Sequence, residues 1–515
     1  MLVAIPFVIK MRKEGAVILF FLLCLRFGGA SDDTIFPEGF SFGAATAAYQ
    51  IEGAWNESRS PCIWDTYIFN NRSVIANQDT AEIACDSYHK YKEDIALAAA
   101  LKLTHYRFSI SWSRLLPTIV SSDVNLEALK YYQGIINELE KYNITPMVTL
   151  YHWDLPQYLE DLGGWTNPVI VDYFTDYAGV VFKYFPTVKL WITINEPKQV
   201  CVHGYGSGKK APGLTESGIS DYRCAYHVAK AHASAYRLYK EKYGKLGGKL
   251  SMALDGAWNI AASNNKEDTD AAERRKLFEF GLYAHPIFFG DWPEVVIERV
   301  KERSKMENFT RSRLPEFTKE DKILINNTVD FMALNYYDTK IVGDDEEPSY
   351  DSYSYNNDLR LTITADKNWH TDRHLNSYVP EGFRNYLKWV KDTYNNPEII
   401  ITENGFADDG TVEDTDRVTF IKDYLMAVWN SIDKDKVKVT GYTFWSLLDN
   451  FEWNNGYDHH FGLYKVDFTN PNRTRTPKKS ADFYREVIER HGLSEAHKIH
   501  FMPILTILSF IYLYL

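Results

Sequence analysis

Leu190-Trp-Ile-Thr-Ile-Asn-Glu-Pro197 is an apolar run that ends in reactive side chains. Its first five residues are β-prone, too few for a helix and without a polar face, and they read as a strand buried on both sides. Asn195 and Glu196 come last, and Pro197 biases the residue before it away from helical backbone. Three other stretches keep this order: Met147-Val-Thr-Leu-Tyr151 leads into His152, Phe331-Met-Ala-Leu334 into Asn335, and Ile399-Ile-Ile-Thr402 into Glu403-Asn404. A strand that meets solvent ends in a polar residue anyway, so one such stretch says little. Four in one chain point to a shared cavity.

Working outward, β-prone runs fall at 40–50, 105–112, 145–152, 190–197, 249–256, 329–337, 398–405 and 439–449. Amphipathic segments lie between them at 87–103, 126–142, 168–185, 224–243 and 414–432. In 126–142, Leu126, Leu129, Ile136 and Leu139 recur at helical spacing while Glu and Lys fill the other faces. Every connection is long enough for a crossover helix between parallel strands. Eight strand–helix units with no Gly-rich phosphate fingerprint predict an α/β fold, a single (β/α)8 TIM barrel. In that fold the polar strand ends surround one mouth at the C-terminal face.

The 515 residues carry a net charge of −12 and no Lys/Arg stripe, which excludes nucleic acid as a natural partner. No linker or repeat divides the chain, and the barrel is assigned residues 31–490. Residues 1–30 read as a secretory signal peptide, with Arg12 and Lys13 before an apolar run and Gly28-Gly29-Ala30 at its end. Its removal leaves Cys62, Cys85, Cys201 and Cys224, which can form disulfides in three connectivities or remain buried thiols. Six N-x-S/T triplets, at Asn56, Asn71, Asn143, Asn308, Asn326 and Asn472, are glycosylation candidates consistent with a secreted, extracellular protein. Residues 491–515 form a polar spacer and an apolar tail too short to span a bilayer comfortably, either a removed lipid-anchor signal that would attach the protein to a membrane or a retained end. No His-x-x-x-His or Cys-x-x-Cys pair offers a metal site, and no metal or cofactor is expected.

Six blocks resemble glycoside hydrolase family 1, the β-glucosidase family, and occur in its order. They are Phe36-Pro-Glu-Gly-Phe-Ser-Phe-Gly-Ala-Ala-Thr-Ala-Ala-Tyr-Gln-Ile-Glu-Gly-Ala-Trp55, Tyr106-Arg-Phe-Ser-Ile-Ser-Trp112, Tyr151-His-Trp-Asp-Leu-Pro156, Thr193-Ile-Asn-Glu-Pro197, Ile401-Thr-Glu-Asn-Gly405 and Trp445-Ser-Leu-Leu-Asp-Asn-Phe-Glu-Trp453. The resemblance implies that Glu196 is the general acid/base and Glu403 the nucleophile of a retaining β-glycosidase. It assigns Gln50, His152, Trp153, Asn195, Glu452 and Trp453 to the non-reducing sugar, Trp445 to the floor beneath it and Phe461 to the region of its O6. Arg107, Asn335 and Tyr337 would pack around the nucleophile, Tyr337 also facing the substrate.

Retaining enzymes hold two carboxyls about 5–5.5 Å apart, one attacking carbon and the other moving the proton. Retention of Glu452-Trp453, which family members acting on 6-phosphosugars lack, implies a neutral hexose: glucose first, with galactose or fucose as side activities. The family's leaving-group Trp is absent before Tyr378, where Arg373-His374-Leu375-Asn376-Ser377 stands instead. Arg373 or His374 is therefore expected to meet an anionic aglycone, such as the sulfate of a glucosinolate. Plant myrosinases of the family lose the acid/base glutamate that this chain keeps. A transglycosidase would use the same pair, and a non-catalytic sugar-binding barrel would be expected to lack one carboxylate.

Overall fold

The computed structural model describes residues 34–345 and 352–493, so residues 1–30, expected to be a signal peptide, and most of the expected C-terminal tail lie outside the described residues. Eight parallel strands close a ring: β1 (Ser41–Ala45), β2 (His105–Ser109), β3 (Thr145–Tyr151), β4 (Leu190–Asn195), β5 (Lys249–Ala261), β6 (Met332–Asp344), β7 (Ile399–Asn404) and β8 (Val439–Trp445). Each pairs with its successor, and β8 closes on β1 from Ser41↔Gly441 to Ala45↔Trp445. A long helix follows each strand: α1 (Ser87–Ala100), α2 (Leu126–Lys141), α3 (Ile170–Tyr184), α4 (Ser220–Lys242), α5 (Lys266–Lys276), α6 (Pro380–Thr393), α7 (Thr415–Asp433) and α8 (Lys479–Arg490); a further one, Glu294–Met306, lies between α5 and β6. The architecture is the (β/α)8 barrel that the run pattern predicts.

Local chemistry explains the boundaries. Asn125 starts α2 by accepting hydrogen bonds from the backbone N–H groups of Glu127 and Ala128, an N-cap that contributes about 1 kcal/mol. The buried stripe of α2 is Ala128, Tyr131, Tyr132, Ile135, Ile136 and Leu139, whereas Leu126 is 68% exposed. The expected stripe through Leu126 is therefore rotated, because the tyrosines, with their large apolar rings, take the inward face. The barrel interior is filled by Met147, Ile192, Ala253, Phe331, Ala333 and Ile400, so it is a packed core and not a pore.

Two runs differ from expectation in a way that shapes the mouth. The first strand stops at Ala45, and Gln50 sits on a separate helical turn, Ala48–Ile51. β5 and β6 continue past Gly256 and Tyr337 as a paired arm that reaches Ala261↔Val342, with a short antiparallel strand, Leu361–Thr364, added to it. The fold makes one bridge, Cys201–Cys224, whose Cα atoms lie 5.3 Å apart, and leaves Cys62 and Cys85 as buried thiols, so none of the three full connectivities forms.

Candidate active site

At the C-terminal ends of the strands a cavity of about 720 Å³ opens, a size suited to a small-molecule ligand. Glu196, at the end of β4, and Glu403, in β7, both line it and are both buried. Asn335 of β6 lies between them: it stands in register with Glu403, and its Nδ2 donates to Glu196 Oε1 at 2.9 Å. Thr402 Oγ1 fixes that amide by donating to Asn335 Oδ1 at 2.7 Å.

The two carboxyls have different neighbours. Arg107 Nη1 donates to Glu403 Oε1 at 2.6 Å, and the Tyr337 hydroxyl donates to Oε2 at 2.9 Å. Arg107 is itself fixed by bonds to Thr149 Oγ1, Thr402 O and Asn195 Oδ1. Burial raises the Glu403 pKa, and Arg107, Tyr337 and Asn335 oppose that rise by stabilising the anion. Burial also raises the Glu196 pKa, well above the usual carboxylate range, and the negative charges of Asp255 and Glu403 push it further. Burial and neighbouring negative charge thus favour the protonated form of Glu196, whereas Arg107, Tyr337 and Asn335 favour the ionised form of Glu403.

Around this pair the structure brings together the side chains expected on the sugar side. Asn195 Oδ1 accepts from Arg107 and Asn335, so its Nδ2 is the donor to His152 Nε2 at 3.1 Å. The imidazole is then neutral, and burial, Arg107 and Lys210 hold its pKa well below the ordinary histidine value. Trp445, Phe461 and Tyr337 form one apolar wall with Ala45 and Ala47, and Trp153 packs on Trp453 with ring centroids 4.5 Å apart. Gly405 permits this wall: a Cβ there would stand 2.0 Å from the Trp445 carbonyl oxygen. Gln50 donates to Asn450 Oδ1, Phe451 O and Glu452 Oε2, while its buried Oε1 has no protein partner among the described residues. Burial pushes the Glu452 carboxyl up to about 8.

Trp153, Glu196 and Trp453 adopt φ of 76°, 47° and 53°, a left-handed region that non-glycine residues rarely occupy. Such strain costs about 1–3 kcal/mol per residue and persists where surrounding contacts over-determine the backbone, as functional sites do.

The sequence model of glycosyl hydrolase family 1 matches residues 32–493. The chain belongs to that family. It is 44% identical over 464 residues to Myrosinase 1 of Brevicoryne brassicae, covering 88% of this chain and 99% of the relative. It is 42% identical over 469 residues to the cytosolic beta-glucosidase of Homo sapiens, covering 90% of this chain and 99% of the relative. Among solved structures, a rice beta-glucosidase variant in a covalent complex with Glc superposes with a TM-score of 0.83 at 37% identity, covering 90% of this chain and 99% of that one. As a family 1 member the protein is a glycoside hydrolase, a retaining β-glycosidase.

On the leaving-group side the expectations need correction. Arg373 does not line the cavity and is turned to Asp458, its Nη2 donating to both carboxylate oxygens at 2.9 Å and its Nε to the backbone carbonyl at 2.9 Å. His374 lines the cavity and contacts His459, but burial, His459 and Lys210 lower its pKa to about 4, so it is neutral. Arg373 therefore lies off the cavity wall, and His374 on it carries no charge, so neither places a cation in the cavity. The same wall holds groups that sequence reasoning missed. Lys198 pairs with Asp255 at 2.8 Å and Glu279 at 3.6 Å, Arg275 pairs with Glu279 at 3.0 Å, and Lys210 sits over the Trp153 ring. Asp255 had a signal, since it closes the fifth β-prone run much as Glu196 closes the fourth. Lys210, in the loop Gly208-Lys-Lys-Ala-Pro212, had none.

Proposed function

We propose that the protein hydrolyses β-D-glucosides, with Glu403 attacking the anomeric carbon and Glu196 as general acid/base. One observation carries the reading: two buried carboxyls at the ends of β4 and β7, bridged by Asn335, sit in environments that put the proton on one and the charge on the other. In the first step the Glu403 carboxylate bonds to carbon while the glycosidic bond breaks, and Glu196 passes its proton to the departing oxygen. Bonding the sugar removes the charge of Glu403, which lowers the Glu196 pKa. Glu196 then accepts a proton from the water that displaces Glu403, and both residues return to their starting states. The free Oε1 of Gln50 and the adjacent Glu452 suit two neighbouring hydroxyls of a neutral hexose, with Trp445 as the floor.

A panel of β-glucosides, β-galactosides and β-fucosides, assayed with Glu196→Ala and Glu403→Ala alongside, tests this reading. Glucosides should be the preferred substrates, the first sugar product should be the β-anomer by proton NMR, and both variants should be inactive on unactivated glucosides. An α-anomeric first product would contradict the double displacement. We further propose that the protein is secreted and N-glycosylated. The six sequons all lie at exposed positions, and the Cys201–Cys224 disulfide belongs to an oxidising compartment. Enzymatic removal of N-glycans from protein made in a eukaryotic host should lower its mass, and an unchanged mass would contradict glycosylation.

A further inference from the structure

We propose that Lys210 determines leaving-group specificity, selecting β-glucosides whose aglycone carries a carboxylate or sulfate. The proposal rests on the glycosidase reading above. Lys210 lines the cavity with its Nζ 3.9 Å from the centre of the Trp153 ring, where the sugar site opens outward. Its charge is felt on both sides of that neck: by Glu196 and Glu452 toward the sugar, and by His203 and His374 toward the outer wall.

The ammonium makes neither an ion pair nor a hydrogen bond with any described residue; the face of Trp153 is its contact. The other cations of this wall are engaged, Lys198 by Asp255 and Arg275 by Glu279, and Lys209 is exposed. The carboxyls whose charge Lys210 feels most are poor counter-ions: Glu196 holds the catalytic proton and Glu452 accepts from Gln50. Burial accordingly pushes the Lys210 pKa down to about 8, only partly offset by Glu196, Glu452 and Asp255. A half-buried ammonium over an aromatic face and without an anion is a site waiting for one, because the partner would restore the electrostatic energy that burial removes. Tyr67 and Val74 give the same cavity apolar surface for the rest of such an aglycone.

The test compares 4-carboxyphenyl and 4-sulfophenyl β-D-glucosides with the neutral 4-carbamoylphenyl β-D-glucoside. The anionic-to-neutral ratio of kcat/KM should fall about tenfold to a hundredfold in Lys210→Met, the range for a hydrogen bond to a charged group, and Lys210→Arg should restore most of it. Benzenesulfonate should also inhibit the wild-type enzyme competitively and more tightly than benzenesulfonamide, a readout that needs no variant. An unchanged ratio in Lys210→Met, or equal inhibition by the two benzene derivatives, overturns the assignment while leaving the glycosidase intact. Failure of the wild type to cleave any of the glucosides overturns the glycosidase reading itself.

Discussion

The two halves of the cavity are built from different parts of the fold. On the sugar side, Arg107, Asn195, Asn335 and Glu403 project from four barrel strands, and each is held by at least one buried side-chain hydrogen bond. On the leaving-group side, Lys198, His203 and Lys210 come from the loop and π-helical turn after β4; Lys198 is held by Asp255 of β5 and by Glu279 in the turn after α5, which also pairs with Arg275. The first half is fixed by strand register, so its dipoles are in place before substrate arrives and cost little reorganisation during reaction. The second is fixed by ion pairs that tie the turn after β4 to the end of β5 and to α5, and Lys210 lies outside them, so side chains there can change without altering the strand register. Common chemistry belongs to the first half and substrate choice to the second.

The sharpest way to break this comparison is to remove the strand-borne nucleophile. Glu403→Gln should lower kcat about 10⁴-fold or more, the scale of deleting a nucleophile, for every glucoside tested. Glu196→Gln should cost about 10²- to 10⁴-fold for alkyl glucosides. The cost should be far smaller in the first step for aryl glucosides whose departing phenolate needs no proton, which pre-steady-state bursts can resolve. If both leaving groups suffered equally, Glu196 would not be the proton donor.

Within the sugar half, Gln50→Ala should lower kcat/KM about tenfold, because Glu452 and the sugar hydroxyl both lose a partner. The loss should be the same for neutral and anionic aglycones; a loss confined to one class would mean that the halves are not separable.

The smallest effects should appear in the pH profile. The alkaline limb of kcat/KM reports the proton of Glu196 in the free enzyme. Lys210 lowers that pKa and Asp255 raises it, so Lys210→Met should move the limb to higher pH and Asp255→Asn to lower pH. Shifts of the same sign in both variants would mean that the charges do not act on Glu196 directly.

The sequence was informative where function follows the strand period. Glu196, Asn335 and Glu403 could be placed at one mouth because each ends an apolar run. The helices α1 to α4 and α7 lie within a few residues of their amphipathic segments. Gln50 was different: no strand carries it, and only the family resemblance pointed to it, since the chain leaves β1 at Ala45 and turns. The Cys201–Cys224 pair could not be chosen from spacing, because it depends on how α4 packs beside the loop after β4. Arg373 looked available in the sequence, and only the fold shows Asp458 holding it. Lys210 was illegible for the complementary reason: a lysine that lacks a partner is visible only once all its neighbours are known.

The central claim, a covalent sugar on one named carboxylate, can be tested directly by trapping. Incubation with 2,4-dinitrophenyl 2-deoxy-2-fluoro-β-D-glucoside, followed by proteolysis and mass spectrometry, should place one fluoroglucosyl group on the peptide containing Ile401-Thr-Glu-Asn-Gly405, at Glu403. A label on Glu196 or elsewhere, or turnover of the probe with no adduct, would contradict the account.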